Sequence, residues 1–142
     1  MAEISSEWVG KLRAKTGAGL MDCKRALTQT NGDFEKAVVV LREQGAASAA
    51  KRAGRVTGDG LVTSYVDPSG KTAVLLELNC ETDFVARTDD FHTFLTDLAK
   101  SAAQANPPWK SVADAPQDRI QEAAIKLKEN VQLRPGRFAR FD

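Results

Sequence analysis

The sequence is poor in the side chains that most often carry catalysis. It has one histidine, His92, and two cysteines, Cys23 and Cys80, too far apart for metal-ligand spacing. No G-x-x-x-x-G-K-[ST] run occurs. The nearest glycine-rich stretch, Gly54 to Gly60, lacks the lysine and hydroxyl that a phosphate loop needs. No apolar run approaches the ~20 residues of a membrane span. Met1 to Ser6 holds neither a basic residue nor an apolar stretch, so neither a signal nor a transit peptide is expected. Reduced thiols in a cytoplasmic protein follow as the expectation. There is no excess of one charge either. The 20 basic and 19 acidic side chains give a net charge of +1, which excludes a DNA-coating protein or an acidic tail.

What is present is an ordinary globular chain of 142 residues, enough for one domain carrying a small module. The balanced charge hides a split. Residues 1–57 hold 10 basic and 6 acidic side chains, while residues 58–142 hold 10 basic and 13 acidic. A mildly basic head is joined to a mildly acidic body.

In the head, Ser5 reads as an N-cap, with Ile4 and Val9 placed as a hydrophobic staple. Ile4, Trp8, Val9 and Leu12 recur at helical spacing. Gly17 and Gly19 stop that helix. A second starts near Leu20 and carries Cys23, Ala26, Leu27 and Thr30 on one stripe, and Asn31-Gly32 ends it. Asp33 caps a third, in which Phe34, Ala37, Val38 and Leu41 share a face. Gly45 is expected to close it. Helices this short are marginal alone, so a packed three-helix module over residues 1–45 is predicted. Residues 46–57, rich in alanine with Lys51, Arg52 and Arg55, read as a helical linker. That short basic cluster has no interleaved aromatics and is read as a solvated face rather than a nucleic-acid contact.

From residue 58 the period changes. Leu61–Val66 and Thr72–Cys80 alternate as strands around Asp67-Pro68-Ser69-Gly70, a type I turn signature. Val74, Leu76, Leu78 and Cys80 fall on the face expected to be buried. Thr88 caps a helix with Asp89 and Asp90 in its first turn, favourable against the dipole, and a stripe of Phe91, Phe94, Leu95, Leu98 and Ala102. Asn106-Pro107-Pro108 ends it. A loop follows, then a helix over 117–130 and two short strands interrupted at Pro135-Gly136 by a turn or bulge. The fold class is α+β: a three-helix head, then a small antiparallel sheet with helices packed on one face.

Two segments fall outside this accounting. Leu20 and Met21 follow directly on a tight turn and cannot both enter a three-helix core, so one is expected in solvent; residue chemistry alone weighs contact site and core filler evenly. Thr82-Asp83-Phe84-Val85-Ala86-Arg87 reads as a loop between a buried strand and a capped helix. Residue chemistry leaves Phe84 two roles: filling the domain's own core, the favoured one, or standing exposed as an interface anchor. A nucleophile at Cys80 with His92 as its base is the enzymatic alternative, and a plain apolar filler at Cys80 is preferred to it.

At these two segments the chain resembles bacterial elongation factor Ts, the nucleotide exchange factor of elongation factor Tu. The likeness is carried by Leu12 to Leu27, Asn31-Gly32-Asp33, Ala49 to Ala53 and Leu76 to Arg87, and weakly by Asn106-Pro107 and Glu129-Asn130-Val131. It implies a ubiquitin-associated-like head and a core of residues 58–142. It also implies that elongation factor Tu is bound through Arg13, Leu20, Met21 and Lys24 of the head and through Thr82, Asp83, Phe84 and Val85 of the core. In the family, the aromatic of the latter motif enters the G domain near the magnesium and phosphate site. Leu20 stands where many members have a second methionine. Longer members have two core halves and this chain has room for one, so a homodimer with Arg137-Phe138-Ala139-Arg140-Phe141 at its seam is implied. No cofactor, metal, membrane or direct nucleic-acid contact is expected. The competing reading is a helical adaptor working through residues 1–45, which would not depend on Phe84.

Overall fold

A computed structural model describes residues 3–142. Among the described residues it holds six α-helices and one three-stranded antiparallel sheet, an α+β fold. The order is α1 (Ser6–Thr16), α2 (Leu20–Gln29), α3 (Phe34–Arg52), β1 (Asp59–Val66), β2 (Ala73–Cys80), α4 (Asp83–Ala86), α5 (Asp89–Gln104), a 3-10 turn at Val112–Asp114, α6 (Gln117–Leu127) and β3 (Gln132–Phe141). The chain divides into two compact units, one ending at Lys51 and one running from Arg52 to Asp142.

The first unit is built as its periodicity dictates. Ser5 caps α1 by accepting from the Trp8 amide, and Gly17 ends it at φ 71°. That left-handed turn lets the Gly17 amide return to the Arg13 carbonyl at 2.8 Å, and a Cβ there would be strained. Val9, Leu12, Cys23, Ala26, Leu27, Ala37, Val38 and Leu41 form one buried cluster. Trp8 does not join it fully. It lies half out, tilted against Phe34 with centroids 5.2 Å apart, and the Lys11 ammonium sits 5.6 Å from its ring. The stop expected at Gly45 does not occur, since α3 continues to Arg52. Alanines 46, 47, 49 and 50 carry the helix past one glycine, which costs only about 1 kcal/mol.

The second unit is a sheet of order β1-β2-β3 covered on one face. Gly70 donates to the Asp67 carbonyl at 2.7 Å and closes the β1–β2 turn. Ser69 donates to the Asp67 carboxylate from both its amide and its hydroxyl, holding that carboxyl below the usual range. Gly60, at φ 151°, lies so close to β2 that a Cβ would stand 2.2 Å from the Leu78 carbonyl oxygen. Val74, Leu76, Leu78 and Cys80 are buried against α5, where Phe91, Leu95, Leu98 and Ala102 face them, and against Ile120 and Ala124 of α6. The opposite face stays apolar and exposed at Val62, Val66, Leu75 and Phe141. Val66 pairs with Ala73 and Ala73 with Phe141, so these form one row across the sheet.

The two short strands expected near the C-terminal end are a single strand with an irregularity. Leu76 faces Phe138 while Leu78 faces Leu133, so residues 134–137 bulge out, with Pro135-Gly136 at their centre. Proline has no amide to donate and the bulge removes the need for one. α6 also ends earlier than position 130. Lys128 takes the left-handed conformation at φ 59° that usually falls to glycine, and this turns Glu129 and Asn130 off the helix. No helix among the described residues is long and apolar enough to cross a membrane.

Candidate functional site

The segment 82–87 is not a loop but a capped single turn. β2 delivers the chain at Cys80, whose buried thiol donates to the Thr82 carbonyl at 3.1 Å. Thr82 then caps α4, its hydroxyl accepting from the Val85 amide at 3.3 Å. At the other end Thr88 closes α4 and opens α5. Its hydroxyl donates to the Val85 carbonyl at 2.7 Å and accepts from the Phe91 amide at 3.2 Å. Asp83 and Arg87 form an exposed i,i+4 ion pair at 3.3 Å.

Orientation along this turn assigns the side chains. Ala86 is buried and Val85 packs against the core, so the inward positions are taken. Phe84 points the other way and is 80% exposed. The favoured core-filling role is therefore wrong. The helical turn gives the inward stations to Val85 and Ala86 and turns Phe84 away from the core. A bare ring on a turn held at both ends is an apolar contact presented in a fixed direction.

Glu81 and Glu129 underlie this turn. Glu129 Oε1 accepts from the amides of Glu81 and Thr82 at 3.1 and 3.0 Å, and its Oε2 accepts from the Thr82 hydroxyl at 2.8 Å. In return Glu81 Oε2 accepts from the Asn130 amide at 2.7 Å. Asn130, itself buried, donates from its side chain to the carbonyls of Ala53 and Arg55 at 3.2 and 2.8 Å. Nothing in residue spacing announced Glu129, which lies three elements away in sequence and next to an unforeseen left-handed turn.

In the first unit, Leu20 and Met21 open α2 and both are exposed, at 52% and 65%. The expectation that one of the two would be in solvent is exceeded. Gly19 caps α2 without a side chain, and Cys23, Ala26 and Leu27 already fill its inner face. Lys24 stands one turn beyond Leu20, and Arg13 lies in the last turn of α1; both are exposed.

Cys80 is buried in the sheet as an apolar filler would be. Burial first, then the Glu129 charge, push its thiol from 9.0 up to about 11, so it stays protonated at neutral pH. His92 is exposed on α5, beside the buried Phe91. Among the described residues no three His, Cys, Asp or Glu side chains gather as metal ligands.

No family model matches the chain. Individual proteins do. It is 55% identical over 130 residues to elongation factor Ts of Fervidobacterium nodosum, covering 92% of this chain and 66% of that protein. Over 125 residues it is 50% identical to elongation factor Ts of Thermoanaerobacter sp. strain X514, covering 88% and 61%. Over 143 residues it is 48% identical to elongation factor Ts of Symbiobacterium thermophilum, covering all of this chain and 46% of the relative. The chain thus spans roughly half to two thirds of the length of these relatives.

Proposed function

The chain belongs to the elongation factor Ts family, and from that we propose that it is a guanine-nucleotide exchange factor for elongation factor Tu. The observation that carries the reading is Phe84, a bare aromatic ring on a turn capped at both ends.

The mechanism is one of linkage. A protein that binds nucleotide-free partner more tightly than GDP-bound partner must weaken GDP binding by the same factor. The Thr82-Asp83-Phe84-Val85 turn enters the G domain near the magnesium and phosphate site. Phe84 is the wedge, and burying its ring supplies about 1.5–3 kcal/mol. That energy is released only when the phosphate site yields. Thr82 and Val85 hold the turn from the inside, and Asp83 aligns it through Arg87. Leu20 and Met21 dock the head on the same partner, with Arg13 and Lys24 setting encounter rate and orientation. No bond is made or broken, so the protein is not an enzyme in the usual sense and uses no cofactor.

In this reading residues 1–45 are a ubiquitin-associated-like head, 46–57 a helical linker and 58–142 a core that pairs with a second copy. The outward sheet face, where Val66 and Phe141 are exposed on either side of the half-buried Ala73, supports that pairing. The protein acts in the cytoplasm, with no membrane or direct nucleic-acid contact.

The test is release of fluorescent GDP from elongation factor Tu. The native chain is expected to accelerate release strongly and Phe84→Ala to remove most of the acceleration. A native chain that leaves the rate unchanged would overturn the reading. Acceleration that survives Phe84→Ala would remove the wedge.

A further inference from the structure

α4 is a single turn, too short to hold its own geometry. β2 has ended at Cys80 and α4 begins at Asp83, so the amides of Glu81 and Thr82 lie between the two ladders. Both are taken by one carboxylate oxygen of Glu129. The other oxygen fixes the Thr82 hydroxyl. Because that hydroxyl donates to Glu129, its lone pairs remain for the Val85 amide, which is the bond that caps α4. Glu129 is itself fixed, by the left-handed Lys128 before it and by Asn130 after it, which is tied to Glu81, Ala53 and Arg55.

We propose that Glu129 is a positioning residue for Phe84, its carboxylate holding the turn from which the ring projects. The proposal rests on the exchange reading for its consequence in function. Its chemistry is that of preorganisation: a ring already held in its bound direction loses little freedom on docking, and a loosened one loses more.

The experiment uses the full chain with Glu129→Ala, Glu129→Gln, Phe84→Ala and the double variant Glu129→Ala with Phe84→Ala. Amide hydrogen exchange is read on the free protein, and GDP release on elongation factor Tu. Glu129→Ala should speed amide exchange at Glu81, Thr82 and Val85 by roughly tenfold or more, leaving Leu76 in the sheet protected. It should cut the acceleration of GDP release by roughly tenfold in the native background and have no further effect beside Phe84→Ala. Glutamine keeps a carbonyl for the two amides but opposes the Thr82 hydroxyl with a donor, so Glu129→Gln should fall between. If Leu76 also loses protection in Glu129→Ala, the core has opened, and Glu129→Gln decides by the same readouts.

Unchanged amides at Glu81 and Thr82 would overturn the proposal. So would a loss in GDP release of equal size with and without Phe84. A native chain that does not accelerate release sinks the exchange reading instead. Selective loosening of the three amides would then still support Glu129 as the group that holds the turn.

Discussion

At the scale of single residues, Cys80 makes a pH statement. Its thiol ionises near 9 when the chain is unfolded and near 11 in the fold, because burial and the Glu129 charge oppose the thiolate. Below pH 9 both states hold the proton and stability does not change on this account. Between 9 and about 11 the unfolded chain ionises while the native one does not, so stability falls as pH rises through that window. Urea midpoints at pH 8 and pH 10 should therefore differ, and Cys80→Ala should reduce the difference. An unaltered alkaline slope in the variant would refute the assignment. Phe84 shows what residue type alone could not reveal. Aromatic side chains are usually buried, and only the phase of one helical turn exposes this one. Glu129 stood in the sequence only as a weak part of the family likeness, and its role was illegible for another reason: its partners, Glu81 and Thr82, are far from it in sequence and are brought to it by the fold.

Among the elements, two glycines test opposite predictions. Gly60 lies against β2 with positive φ, and a methyl group there would collide with the backbone of Leu78 and Asn79. Gly60→Ala should cost about 2–4 kcal/mol, since the two nearest atoms, the Leu78 carbonyl oxygen and the Asn79 Cα, are backbone and cannot swing aside as a side chain can. Gly10 is in the middle of α1 with open space around its Cα, and Gly10→Ala should add about 0.5–1 kcal/mol. Thermal melts of the two variants should move in opposite directions, and a stabilising Gly60→Ala would show the β1–β2 approach to be looser than described. The long elements were legible because period decides them: the 3.6 repeat of α5 and the alternation of β2 recur in the structure. α4 was missed because one turn offers no period. Gly45 misled because alanines on its far side outweigh it, and Lys128 misled because a lysine there takes a glycine's conformation.

Across the whole molecule, the outward face of the sheet is the feature that asks for a partner. Val62, Val66, Leu75 and Phe141 are exposed together. If a second copy covers them, sedimentation should give a dimer, and Leu75→Lys should shift it to monomer without lowering the helical signal. A native monomer at tens of micromolar would refute the pairing. The register of β3 was half legible, as Pro135-Gly136 announced an interruption but not that one strand continues across it. That strand also has a temporal consequence. Even its nearest ladder pair, Asn79 with Gln132, joins residues on either side of α4, α5 and α6. At roughly 5–20 residues per second, synthesis leaves the β1–β2 hairpin waiting for several seconds before β3 is made. During that interval Leu76 and Leu78 have no third strand beside them and β2 has an open edge able to pair with any passing chain. The nascent protein is at its most vulnerable to aggregation then, and a chaperone that shields bare strand edges would matter most to it in those seconds.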